Sequence, residues 1–167
     1  MDSKTWRSAM GKFATGITVI TTRDAEGKPQ GMTVNAFTSL SLDPPMLLVC
    51  LDNKSATLKH ILESKSFCVN ILSADQENVS RSFARRGDVD KFEGIPYLEG
   101  VAGVPVLDAC LAYVVCGLHK AVEGGDHQIL LGDALHLNVQ QADATPLVFY
   151  GGKYGYLTDN LPQGASA

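Results

Sequence analysis

Three stretches of this sequence combine residue types that can do chemistry. The first is Asp52-Asn53-Lys54-Ser55-Ala56-Thr57, which follows an apolar run and opens a helical pattern. The first turn of a helix presents N–H groups without intrahelical partners, and the positive end of the helix dipole favours an anion there. Lys54, Ser55 and Thr57 add one charge and two hydroxyl donors, so the segment suits a phosphate. An ordinary helix cap at Asn53 or Ser55 accounts equally well for the same residues.

The second stretch, Gly31-Met32-Thr33-Val34-Asn35-Ala36-Phe37-Thr38-Ser39-Leu40-Ser41-Leu42-Asp43-Pro44-Pro45, is crowded with small hydroxyl and amide side chains. Such a strand edge lets its backbone N–H groups approach a flat heteroaromatic ring, and a flavin offers acceptors to meet them. By periodicity alone it is as readily an edge strand blunted by polar residues. The third is Gly125-Asp126-His127, a histidine just past a glycine turn: a polar tip, or a group that positions a substrate. Arg81, Arg85 and Arg86 suit a solvated helix face or a phosphate clamp.

Other chemistries lack their residues. There is no G-x-G-x-x-G fingerprint, no P-loop, no nucleophile elbow and no zinc-protease pattern, and His60, His119, His127 and His136 lie far apart. Cys50, Cys68, Cys110 and Cys116 sit in apolar runs without the paired spacing of zinc sites and read as core thiols. A net charge of -4 gives no basic face for nucleic acid. No apolar run has the length of a signal peptide core or a membrane span, so a cytoplasmic location without membrane contact is expected.

The elements that must position these residues are mostly strands. With 167 residues, 45% hydrophobic and 19% charged, one domain with its own core is expected. Trp6, Met10 and Phe13 recur at helical spacing, with Ser3 as the cap and Gly16 as the stop. Ile17 to Thr22 and a strand from about Gln30 form a hairpin around Ala25 to Pro29. Met46 to Leu51 is a continuous apolar run that predicts a central strand covered on both faces. A helix from about Ser55 to Glu63 precedes a strand over Phe67 to Leu72, and Ser73 to Gln76 forms a capping box that opens a third helix.

From Arg85 to Gly103 no period survives, which predicts a mobile surface flap. Ala109 to Ala121 and Gln128 to Val139 are long strands, the second with Leu135, Leu137 and Val139 on its drier face, and Pro146 to Tyr150 is the last. Seven strands and three short helices without strand-helix alternation point to an antiparallel barrel or sandwich. The end of the chain, from about residue 159, reads as a frayed tail.

In this order the segments resemble the short flavin reductases that serve two-component flavin-dependent monooxygenases. The resemblance is carried by Phe13 to Thr22, Gly31 to Pro45, Asn53 to Thr57, Phe67 to Leu72, Ser82-Phe83-Ala84, Gly125-Asp126-His127 and Pro146 to Tyr150. It implies an FMN-binding split barrel, an antiparallel Greek-key barrel with a few short helices that forms a homodimer with each flavin near the interface. It further implies that Thr33, Val34, Asn35 and Ala36 lie along the flavin ring and that Cys50, Leu51 and Asp52 pass its edge. Lys54, Ser55 and Thr57 would hold the phosphate, while Ser82, Phe83 and Arg85 support the flavin tail.

His127 would stand beside the nicotinamide as the catalytic histidine. The implied activity is hydride transfer from NADH or NADPH to FMN or FAD, with reduced flavin handed to a separate monooxygenase. Release of that flavin calls for a modest site, with one phosphate turn and no large cationic cage. A flavin-binding module without nicotinamide turnover, or an oxidase on the same barrel, is the rival reading.

Overall fold

The chain opens with helix α1, Ser3–Met10, capped by Asp2 rather than Ser3. The Asp2 carboxylate accepts from the N–H groups of Lys4 and Thr5 at 2.9 and 3.0 Å, so the cap sits one residue earlier than expected. The helix stops at Gly11, not Gly16, and buries none of its residues. Trp6, Met10 and Phe13 stay exposed, the last at 78%. This computed structural model describes residues 2–87 and 89–157, so the tail expected from about residue 159 lies outside the described residues.

Strands β1 (Thr15–Gly16), β2 (Thr18–Arg23) and β3 (Pro29–Val34) follow. The β2–β3 turn is fastened by Asp24, whose carboxylate accepts from the N–H groups of Glu26 and Lys28 and from the Gln30 amide. Next come β4 (Phe37–Leu42), β5 (Pro45–Asp52), α2 (Ala56–Ser64) and β6 (Ser66–Ile71). The Ser73–Gln76 capping box forms as the sequence predicts and leads into α3, Glu77–Phe83. The chain ends in β7 (Tyr97–Glu99), β8 (Pro105–Leu107), β9 (Ala112–Gly124), β10 (His127–Val139), β11 (Leu147–Tyr150) and β12 (Lys153–Tyr156).

The fold is mainly β, and its pairs are antiparallel. Seven strands form one sheet in the order β3-β2-β6-β9-β10-β5-β4. Ile20, Val49, Leu51, Ile61, Phe67, Val69 and Leu130 fill the core between this sheet and α2. A second cluster of Ile17, Val19, Leu72, Phe83, Leu107 and Leu147 lies under α3. Asn70, fully buried, ties three strands together. It donates to the Val19 carbonyl and the Thr21 hydroxyl and accepts from the Leu107 N–H at 2.8 Å. In a core such an amide is stable only because these bonds are made.

Several expectations need correction. β1, β4, β7, β8 and β12 add to the seven expected strands, and four of them are two to four residues long, too short for a period to signal. β5 is second from the sheet edge, so Leu47, Val49 and Leu51 are buried while Met46, Leu48 and Cys50 are only half-covered. The segment expected to be a mobile flap is tied down. Phe92 is buried edge-on against Phe83 at 4.8 Å, and β7 pairs with β8. A β-bulge at Leu135 breaks the expected alternation: Leu135 lies on the Gly117 side of the sheet, whereas Leu137 and Val139, opposite Val114 and Ala112, lie on the other, and all three are exposed in the single chain.

All four cysteines are free thiols, and Cys68, Cys110 and Cys116 are buried as expected. No helix among the described residues is long and apolar enough to cross a membrane.

Candidate functional site: a cation-lined groove at the start of α2

The loop from β5 into α2 is built by local hydrogen bonds. The Asp52 carboxylate accepts from the Lys54 N–H at 2.8 Å, and its carbonyl accepts from the Ser55 N–H at 2.9 Å. These bonds turn the chain so that Ser55 becomes the N-cap of α2, its hydroxyl accepting from the Leu58 N–H. The same hydroxyl donates to the Met32 sulfur of β3 at 3.0 Å, which holds the helix start against that strand.

The helix start opens onto a groove of about 930 Å³. Thr33, Asp52, Lys54, Ser55 and Thr57 line one side, with Phe83 and Arg85 on the other. Gly31 also lines it, and a Cβ there would lie 2.8 Å from Phe83 and 2.9 Å from the Ile20 carbonyl, so only glycine lets β3 and α3 close to this distance. Thr33 is held in place by α3, its hydroxyl donating to the Ser80 carbonyl at 2.6 Å. Ser80 in turn pairs with the Tyr154 hydroxyl of β12 at 2.9 Å.

Charge in the groove runs against that of the chain. Lys28, Lys54, Arg85, Arg86 and Lys91 line it, against Asp52 and Asp90 as the acidic residues described there. The positive residues are brought together by folding from distant parts of the sequence.

The far wall is closed by a clip. Arg85 donates to the Ser82 carbonyl, the Ser82 hydroxyl and the Asp90 carbonyl, while Ser82 donates to the Lys91 carbonyl at 3.1 Å. Ser82 therefore shapes the wall and does not line it. Lys91, half-buried, donates to the Gly31 carbonyl at 3.1 Å. Burial, with the like charge of Arg85 added, holds its ammonium below the usual lysine range.

The remaining expected residues are placed apart from the groove lining. Val34 and Leu51 point into the core, so only their backbone is available to a ligand. Asn35 and Ala36 are exposed where β3 passes to β4, and the Ala36 carbonyl accepts from the Cys50 N–H at 2.9 Å. Cys50 is half-buried, and burial pushes its thiol up.

His127 is not in the lining, but it stands opposite Asp52 in the β5–β10 ladder. Its turn is stitched to the α2 loop: Asn53 donates from its backbone to the Asp126 carbonyl at 3.0 Å and from its side chain to the Gly125 carbonyl at 3.3 Å. The reading from sequence offered Arg86 only as part of a phosphate clamp and missed Lys28, His60 and Lys91 as lining residues. For Lys91 the usable signal was its neighbour Phe92, an aromatic in a polar stretch that must be buried somewhere.

The groove fits a phosphorylated ligand by its donors: the free N–H groups of a capped helix start, the Thr57 hydroxyl and an excess of cations, with the Ser55 proton given to Met32. These features suit a phosphorylated ligand beside an antiparallel sheet, without the glycine-rich strand-turn-helix of the parallel dinucleotide folds. More narrowly, the chain belongs to the flavin reductase-like family, whose domain matches residues 10–158.

It is 38% identical over 155 residues to a flavin reductase of Pseudomonas putida, covering 93% of this chain and 90% of that one. Nitrilotriacetate monooxygenase component B from Mycobacterium thermoresistibile superposes with a TM-score of 0.91 at 39% identity, over 99% of this chain and 93% of that one. The Streptomyces globisporus NADH:FAD oxidoreductase SgcE6, solved with NAD and FAD fragments, gives 0.89 at 33% identity, over 95% and 94%.

Proposed function

We propose that this chain is an NAD(P)H:flavin oxidoreductase that reduces FMN or FAD and passes the reduced flavin to a separate monooxygenase. The observation that carries the reading is the groove that runs from Thr33 on β3 to the start of α2, in a chain of the flavin reductase-like family. When bound, the flavin supplies the hydride acceptor and the nicotinamide the donor. The protein supplies position. The α2 start with Lys54, Ser55 and Thr57 holds the flavin phosphate, and the backbone of Thr33 to Ala36 and of Cys50 to Asp52 lies along the ring. Phe83 and Arg85 back the tail, and Ser82 keeps Arg85 in place. His127 positions the nicotinamide from the turn fastened to the α2 loop, and no side chain acts as a nucleophile.

The fold is read as a split barrel that forms a homodimer. Leu137 and Val139 supply an apolar face 58 to 59% exposed, Leu135 is exposed on the opposite face, and Trp6, Met10 and Phe13 supply a further apolar surface; a second copy is the partner proposed to cover them. A cytoplasmic location accords with the free thiols. Purified protein mixed with NADH or NADPH and with FMN or FAD tests the activity. Oxidation of the nicotinamide with at least one pair is expected, and none in folded protein overturns it in favour of a flavin-binding module. Sedimentation tests the dimer, for which a monomer at micromolar concentration is the contrary result.

A further inference from the structure

Two features suited to an anion line the same groove, and the proposed function uses only one of them. The first is the start of α2. The second is Lys91, on a wall folded back by the Ser82–Arg85–Asp90 clip and by Phe92 packed edge-on against Phe83. An ammonium has three donors, and here the Gly31 carbonyl takes one. Among the described residues no carboxylate lies within ion-pair distance of Lys91. The fold thus holds a half-buried cation, aimed into a groove, beside another cation and with most of its hydrogen-bonding capacity unspent. Burying such a charge is costly unless something negative meets it.

A mononucleotide flavin brings one phosphate and a dinucleotide flavin brings two that are directly joined. We infer that Lys91 receives the second phosphate of FAD and is the residue by which this chain discriminates FAD from FMN. The inference rests on the flavin reductase reading. It favours the diphosphate of the flavin over that of the nicotinamide cofactor because Lys91 shares its groove with the phosphate turn, whereas His127 lies outside the lining. Arg85 is spent on closing the wall and Lys54 is exposed at the rim, so Lys91 is the cation held in place.

The test is direct titration of FAD, FMN and riboflavin into wild type, K91M and K91R without any nicotinamide, with a thermal melt of each protein. Wild type is expected to bind FAD more tightly than FMN. K91M should weaken FAD at least about tenfold, FMN less than about threefold and riboflavin hardly at all, with K91R keeping most of the FAD affinity. Equal weakening of FAD and FMN, or no change in either, overturns the assignment. So does a rise in the NADH KM with flavin binding intact, which gives Lys91 to the nicotinamide cofactor. If K91M does not fold, K91Q is titrated in its place, with the same pattern expected and the same results overturning the inference. Absence of NADH oxidation by wild type with every flavin would remove the reductase reading while leaving these titrations legible.

Discussion

The imidazole Nδ1 of His127 lies 2.7 Å from a carboxylate oxygen of Asp126, its neighbour in the chain. An ionised carboxylate only accepts, so Nδ1 carries the proton and Nε2 faces away. The pair fixes the ring at the end of the β9–β10 hairpin, where it is half-exposed.

Replacing His127 by Ala should raise the KM for NADH or NADPH about threefold to tenfold, the worth of one hydrogen bond to a ligand, and leave the flavin dissociation constant unchanged. Equal loss of both would make the histidine structural. The hydrogen bond from His127, with its charge second, holds the Asp126 carboxyl below the usual range. In the variant that carboxyl should titrate higher, back in the ordinary range, as NMR of the side chain can follow. A depressed carboxyl favours the folded state above its ordinary pKa and loses that contribution as pH falls through the depressed value.

Changing Ser55 and Thr57 together to Ala should weaken FMN at least about tenfold, since each charge-assisted bond to a phosphate is worth roughly 1.5–3 kcal/mol. Riboflavin, which has no phosphate, should bind as before. Ser55 also caps α2, so the ligand-free melt should drop by the equivalent of about 1 kcal/mol. If FMN and riboflavin weaken alike, the turn is only a helix cap.

Gly31→Ala should destabilise the protein by about 1–3 kcal/mol, the usual cost of overpacking. The new methyl would press on Phe83 and on the backbone of Ile20, neither of which is the loose end of a flexible side chain. Urea unfolding measures the change. An unchanged midpoint would mean that β3 and α3 are not held at the spacing described.

Burial pushes the Cys110 thiol up to about 11 and that of Cys116 to about 12, and raises Cys68 well above its ordinary value. A thiol whose pKa is raised by folding favours the folded state below its ordinary pKa of about 9 and loses that contribution as pH rises towards the folded value. Stability should therefore fall above pH 9 by up to about 1.4 kcal/mol per thiol per pH unit, read from urea midpoints. In folded protein near pH 8, Cys50 should be alkylated first and the other three only on unfolding. Four equal rates would contradict this burial.

What could be read from the sequence was what local chemistry controls. The Ser55 cap, the Ser73–Gln76 box and the β2–β3 hairpin each depend on residues within a few positions of one another, and all three formed. The alternation of Leu135, Leu137 and Val139 suggested a common face, but a one-residue bulge at Leu135 turns that side chain to the other side, and no alternation rule encodes a bulge. The groove was half legible. Its α2 side is one continuous motif, whereas Lys91 reaches it only because Phe92 packs on Phe83 and the Arg85 clip returns the chain, contacts that no spacing rule encodes. Net charge misled for the same reason: -4 describes the whole chain, and folding gathers Lys28, Lys54, Arg85, Arg86 and Lys91 on one wall-to-wall surface.

The seam between Asn53 and the Gly125–Asp126 turn has a consequence for redesign. The β5–α2 loop and the hairpin tip that carries His127 share two hydrogen bonds, so they behave as one transplantable part rather than two. A graft of the β5–α2 loop from another reductase would have to bring its own hairpin tip with it. Exchanging either alone would leave a backbone carbonyl or an asparagine amide facing a stranger, and the register between the two cofactors would drift with the mismatch.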